Sequence, residues 1–287
     1  MAGRGGQVPE IPDFKRGTSE AGGRPVVDFT GVASSFASAR SGIEALVIGL
    51  IAACFFGGWE LLLVLYRVPS YVLPRPTAVF RTLFADFATL YLPHLLVTLK
   101  ELGIGFAIGA SVGLVLAAVI TQYPFVERVI TPYILIAVTT PMIALVPLLM
   151  LKLGFGLWPR VIAVALAVGP MVMINAATGF RRTDLAKIAL ARSYRATTLQ
   201  VFTKLRIPMA MPMVVVGLMI GSIFGLLTAV GAEMIGGRDG LGNRLVYFAS
   251  LARMEQFFAT ILIIALIGIA LYVIFHHVGK KWAGWQA

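Results

Sequence analysis

Three histidines, one cysteine and thirteen acidic residues are the side chains of this 287-residue chain best suited to ligate a metal, relay a proton or activate a nucleophile. Their spacing does not assemble any of those chemistries. His94 stands alone, and His276 and His277 are adjacent, so on a helix they diverge and read as interfacial residues. Cys54 lies inside an apolar run, which leaves no partner for an intramolecular disulfide or a multi-cysteine metal site. No paired carboxylates or nucleophile-base arrangement marks a catalytic centre. Gly279-Lys280-Lys281 lacks both the glycine spacing and the hydroxyl of a phosphate-cradling P-loop. The chain is therefore expected to be no enzyme, with no catalytic residue, metal or cofactor of its own. The sharpest polar outlier is Glu233, beside Gly236-Gly237. It is a candidate outer-gate residue, with the plainer alternative that the backbone amides of the following turn satisfy it.

The other chemically distinctive stretch is RRTDLAKIALARSYRATTLQVFTKLRIPMAMP, residues 181–212, with seven Lys and Arg between 181 and 206. Asp184 (or Thr183) can cap a helix running to about Ser193, and Thr197 or Thr198 can cap a second one leading into Ile207-Pro208. Such a helix-break-helix element suits docking of a soluble partner. A solvated basic loop held by anionic membrane lipid is the competing reading.

These residues must be positioned by apolar elements, because hydrophobic residues make up 59% and charged residues 13% of the chain. That is about half the roughly 25% charge usual in soluble domains. The formal net charge of +11 is scattered between apolar runs, as in membrane loops, and predicts no nucleic-acid partner. Six apolar stretches are long enough to cross the roughly 30 Å hydrocarbon core: Ala45–Tyr66, Leu102–Ile120, Val129–Leu151, Val161–Phe180, Ile207–Ala232 and Phe257–Phe275. The 181–206 cluster places that segment and both termini in the cytoplasm. Residues 1–40 read as a disordered cytoplasmic tail with no signal peptide, 41–92 as the first span with an external interfacial segment, and 93–280 as the core.

Two ladders of small residues predict close helix packing on one face: Gly105, Gly109, Gly113 and Ala117, then Gly217, Gly221, Gly225 and Ala229. Pro74-Arg75-Pro76-Thr77 predicts a short helix capped by Thr77 and lying in the outer interface, or else a plain external loop. Pro141, Met142 and Pro147 soften the third stretch and are candidate pathway residues, although prolines are common in membrane helices.

The sequence resembles the binding-protein-dependent ATP-binding-cassette importer permeases, in the branch serving nitrate, sulfonates, taurine and related compounds. The cytoplasmic signature of that family is Glu-Ala-Ala, three residues, Gly, nine residues, then Ile-x-Leu-Pro. It falls without gaps on Ala189-Leu190-Ala191, Arg195 and Leu205-Arg206-Ile207-Pro208. Trp59-Glu60, Leu73-Pro74-Arg75-Pro76, Pro141 with Ile143–Leu149, Gly231–Gly236 and Gly240-Leu241-Gly242 follow in family order, so the resemblance covers roughly 44–280. It implies an all-α integral membrane fold of about six transmembrane helices, the type I importer permease fold, with a cytoplasmic coupling-helix hairpin over 181–208. It also implies residence in the bacterial inner membrane, a second permease copy, two ATP-binding subunits that carry ATP and Mg, and a periplasmic or lipid-anchored substrate-binding protein. The solute would be a small anion or organic compound moved by alternating access. Asp184, Ala189, Ala191, Arg192, Tyr194, Arg195, Leu199 and Pro208 would form the ATPase-coupling interface, with Tyr194 and Leu199 as apolar insertions and Arg192 and Arg195 as a charged rim. Ala189 and Arg195 depart from the usual Glu and Gly, and a β-carbon at the second place makes positive φ costly. The rival function is an ion-gradient-driven secondary transporter, which usually keeps ionisable groups near the bilayer midplane. Here Glu60, Lys100, Glu101, Lys152 and Glu233 fall towards span ends.

Overall fold

The structure, a computed structural model, describes residues 42–283. The tail expected over 1–40 lies outside the described residues. Among those described, all regular structure is helical: α1 (Gly42–Leu65), α2 (Pro76–Asp86), α3 (Leu92–Gln122), α4 (Pro124–Thr139), α5 (Met142–Leu153), α6 (Leu157–Arg181), α7 (Leu185–Ser193), α8 (Thr198–Val201), α9 (Ile207–Gly236), α10 (Leu241–Ser250) and α11 (Met254–Ala283). Two π-helical turns, Phe87–Tyr91 and Phe202–Arg206, join α2 to α3 and α8 to α9. Contacts divide the chain after Phe55, within α1. The described residues before that point form one helical segment, and everything below concerns Phe56 onward.

Helix α6 is the centre of the core. Its Val164, Val168 and Val172 recur every four residues, are fully buried, and form one row. Both glycine ladders close on that row. A β-carbon on Gly109 would stand 2.5 Å from the Ala165 carbonyl oxygen, and one on Gly113 would stand 2.5 Å from that of Gly169. From α9, Gly217 would meet Asn175 Cβ at 2.8 Å, while Gly221 and Gly225 abut Val172 and Val168 at 3.0 Å. The backbones thus approach as closely as glycine allows, which maximises dispersion contact where lipid supplies no hydrophobic drive between helices.

The entry to α2 differs from the expected cap. Arg75 is the N-cap residue and Pro76 opens the helix. Thr77 instead binds Glu60 of α1, its amide donating to Oε2 at 3.2 Å and its hydroxyl to Oε1 at 2.6 Å. A carboxylate at a helix N-terminus satisfies free amides and complements the dipole. The helix then continues through the π turn, giving an unbroken Pro76–Gln122 segment of 47 residues.

Among the described residues five helices are long and apolar enough to span a membrane, and a sixth apolar stretch is sharply bent. The single span expected over Val129–Leu151 is instead two helices, α4 and α5, bent by 94°. The break falls at Thr140, whose ψ of 124° is extended, just before Pro141. A residue preceding proline is pushed out of the helical region, which accounts for the bend. Helix α5 packs through Val146 and Met150 onto Ala163 and Ala232. Helix α4 has no fully buried residue.

Candidate functional site

Three features could carry function: an exposed basic turn, a cavity at the broken span, and a buried polar knot. The turn is built by local signals. Asp184 caps α7 by accepting the Ala186 amide at 2.8 Å. Thr197 and Gln200 form a reciprocal capping box for α8, amide to side chain at 2.8 and 3.2 Å. Between them, the Ala196 amide donates to the Ala191 carbonyl at 3.1 Å and the Arg195 amide to the Arg192 carbonyl at 2.9 Å. That pairing is a Schellman motif, which requires a left-handed residue at the position Arg195 occupies. Arg195 adopts it, with φ of 58°. The arginine therefore makes the turn that a glycine would make, at the cost of a β-carbon in that region.

The turn presents Tyr194 at 81% and Leu199 at 71% exposure, with Leu185 and Leu190 also exposed. Ala189, Arg192, Arg195 and Asp184 are exposed around them, while Ala191 and Pro208 are half-buried. None of the eight residues of the sequence-derived coupling set is fully buried. Helix α8, its π turn and α9 run on as one 39-residue helix, Thr198–Gly236, from this turn to Glu233 near its far end. Replacing Arg195 by Gly is expected to stabilise the chain by about 1 kcal/mol through relief of left-handed strain, less the entropy that glycine adds to the unfolded chain. A thermal-unfolding comparison with Arg195→Val, which is expected to fall below the parent, checks this.

The cavity, of about 280 Å³, lies where the broken span meets α6 and α9. Pro141 and Met142 line it, with Thr139, Thr140, Pro170 and Phe224 among their neighbours. Pro147 is exposed within α5 and does not line it. The hydroxyls of Thr139, Thr140 and Thr228 each donate to a carbonyl one turn back on their own helix, at 2.7 to 2.8 Å.

Glu233 does not line that cavity. It is fully buried, and its oxygens accept from the Thr98 hydroxyl at 2.7 Å and the Gly242 amide at 2.7 Å. The Thr98 hydroxyl oxygen also accepts from the Leu241 amide at 3.0 Å, and His94 Nδ1 accepts from the Gly240 amide at 3.1 Å. Three successive amides entering α10 are therefore satisfied by side chains from α3 and α9, the groups a helix start leaves open. Gly240 (φ 95°) and Gly242 are required here, because a β-carbon on either would overlap Glu233 or the Val230 carbonyl. Beside this cap, Arg160 Nη1 lies 2.6 Å from Glu101 Oε1, and Nη2 lies 3.0 Å from Asp239 Oδ1. Glu101 is fully exposure-free and the Arg160 side chain is 7% exposed, while Asp239 is about half exposed. Thr98 and Arg160 are not singled out by the sequence reading, which takes His94 for an interfacial residue and Glu101 for a span-end charge; the structure gathers all four in this knot. Their signal was present: His94, Thr98 and Glu101 follow i, i+4, i+7 spacing, one polar stripe on an apolar helix.

An apolar helical bundle of spanning length, carrying a basic helix-turn at one end of a 39-residue continuous helix, is the architecture of a multi-pass membrane protein. The chain belongs to the family of inner membrane components of binding-protein-dependent transport systems, whose family model matches residues 109–284. It is 29% identical over 79% of its length, and 91% of the relative's, to a Haemophilus influenzae protein named "Probable ABC transporter permease protein". It is 30% identical over 74% of its length, and 84% of the relative's, to the formylaminopyrimidine transport permease protein ThiX of Halalkalibacterium halodurans. In fold it is similar to a chain of the inward-facing MetNI methionine ABC transporter, with TM-score 0.56, 17% identity, and coverage of 73% of this chain and 98% of that one. An amino acid ABC transporter chain gives TM-score 0.55 at 20% identity over 69% and 94%. The chain is an ABC importer permease subunit with the type I fold, not a secondary transporter.

Proposed function

We propose that this permease passes a small organic or anionic solute, delivered by an external binding protein, into the cytoplasm by alternating access driven from the 181–208 segment. The observation that carries this reading is the Schellman turn at Arg195, which displays Tyr194 and Leu199 outward on a rigidly capped basic helix pair. Apolar side chains held on a charged rim suit insertion into a groove of a soluble subunit. In this reading two ATPase subunits bind and hydrolyse ATP with Mg, two copies of the permease pair, and both termini lie in the cytoplasm. Closure of the ATPases would move the turn, and the unbroken helix from Thr198 to Gly236 would convey that motion across the bundle. The cavity at Thr140–Met142 is then the passage, and its broken helix is the element suited to change shape, since discontinuous helices border solute sites in many transporters. The relative named for formylaminopyrimidine supports an organic solute of that size class.

The test is purification of the tagged chain from its native membranes in mild detergent. The parent should bring down a P-loop ATPase near one to one. The pair Tyr194→Asp with Leu199→Asp should lose it at least tenfold while remaining monodisperse, because both side chains are surface groups. Equal recovery with the double variant would remove the docking assignment, and ATP-independent, gradient-driven uptake by the chain alone would remove the importer reading.

A further inference from the structure

The cavity where α4 breaks into α5 has no charged side chain among its described lining residues. Its polar side chains are Thr139, Thr140 and Thr228, and the rest of the wall is aliphatic, proline, methionine and the Phe224 ring. An ionised solute would leave water there without meeting a counter-charge, a cost that a few neutral hydrogen bonds do not return.

The hydrogen-bonding groups of this wall are mostly acceptors. Each threonine hydroxyl spends its one hydrogen on its own helix: Thr139 on the Leu135 carbonyl at 2.8 Å, Thr140 on Ile136 at 2.7 Å and Thr228 on Phe224 at 2.8 Å. A hydroxyl so committed has lone pairs left to offer and no proton. The break adds backbone oxygens. In a continuous helix the Ala137 carbonyl would accept from residue 141, but Pro141 has no N–H. The 94° bend takes the Met142 amide away from the Val138 carbonyl, which gains no amide in its place. Donors are fewer. Helix α5 opens at Met142, and a helix start leaves its first amides open. The Ala144 amide already donates to the Pro141 carbonyl at 2.9 Å, so Met142 and Ile143 supply the two that remain.

We propose that this cavity takes an uncharged amide-type solute, in which N–H donors stand beside a carbonyl, and rejects anions of the same size. The solute's N–H groups answer the threonine oxygens and the two open carbonyls. Its carbonyl answers the Met142 and Ile143 amides, and its apolar part lies against Pro170, Phe224 and Leu227. The inference rests on the cavity being the passage, and it narrows the small organic or anionic solute of that reading to one chemical class.

The test places a thiol in the wall. Thr140→Cys is made in a Cys54→Ala background, which removes the chain's one natural cysteine. The full-length protein in open fragments of its native membranes is labelled with iodoacetamide, 2-iodo-N,N-dimethylacetamide or iodoacetate. These share a leaving group and differ as donor-bearing amide, donor-free amide and anion. Each rate is divided by that of N-acetylcysteine in solution, which cancels intrinsic reactivity. Iodoacetamide is expected to exceed iodoacetate by about tenfold or more. It should exceed the dimethyl amide by about threefold to tenfold, and Thr228→Val, which keeps the shape and removes an acceptor, should shrink that second ratio. Entry through lipid alone would favour the dimethyl amide, the more apolar reagent. Iodoacetate labelling as fast as iodoacetamide overturns the inference and leaves the passage reading standing. A dimethyl amide as fast as iodoacetamide, or a ratio unmoved by Thr228→Val, also overturns it, because the wall then selects for low polarity alone. No labelling by any reagent, when the detergent-unfolded chain takes all three, overturns the passage reading and the inference with it. Thr139→Cys reads the same wall if Thr140→Cys folds poorly.

Discussion

Gly109→Leu is expected to cost the fold more than about 3 kcal/mol, enough to remove most properly folded chain from a marginally stable protein. At this residue α3 and α6 meet backbone to backbone. Its β-carbon would lie 2.5 Å from the Ala165 carbonyl oxygen and 2.9 Å from Val168 Cβ. The carbonyl belongs to a helix ladder and cannot turn aside, so the only relief is to separate the helices. Separation would also lift Gly105 and Gly113 from α6 and open the valine row that the second ladder shares. Gly103→Leu is the control. It sits on the same helix with nothing within 4 Å, and is expected to match the parent or gain up to about 1 kcal/mol from helix propensity. Monodisperse yield in detergent and thermal midpoint read both variants. Equal loss at 103 and 109 would mean that residue volume in the membrane, not helix contact, sets the effect.

What the sequence made legible follows the range of the interactions. Apolar stretches and four-residue ladders are periodicities within one helix, and the structure places helices at each. That both ladders close on one row of α6 is a relation between three helices, and no spacing within the chain reports it. The Thr140–Pro141 break had a local cause in the proline, but average hydropathy over the stretch conceals a backbone bend. The coupling segment divides the same way. Asp184 and the Thr197–Gln200 box are legible because capping depends on residue type at fixed offsets. The left-handed Arg195 is legible only through the family signature, which puts a glycine at its place; residue type argues against it, because an arginine carries no preference for that conformation and the surrounding hydrogen bonds impose it. The knot is the least legible. It gathers residues 94–101, 160 and 233–242, so Glu233 read alone leaves open a gate residue or a carboxylate satisfied by the amides that follow it; the structure gives it one such amide, from Gly242, and the Thr98 hydroxyl, which no local reading supplies.

The knot also supplies a test that separates its hydrogen bonds from its packing. Thr98→Val keeps the shape of a fully buried side chain and removes its hydroxyl. Glu233 Oε1 then loses its donor and the Leu241 amide its acceptor, both away from water. Each unmatched buried group costs about 1–3 kcal/mol, so the pair should cost about 3 kcal/mol. Thr98→Ser retains the hydroxyl and gives up one methyl group, which costs about 1 kcal/mol. Hydrogen exchange should report the same ordering locally. The amides of residues 240–250 should lose protection in the valine variant and keep it in the serine variant, while Val164–Val172 remain protected in both. If serine and valine lose stability equally, the site is held by side-chain volume, and the hydrogen-bonded entry to α10 is not what anchors that helix to the bundle.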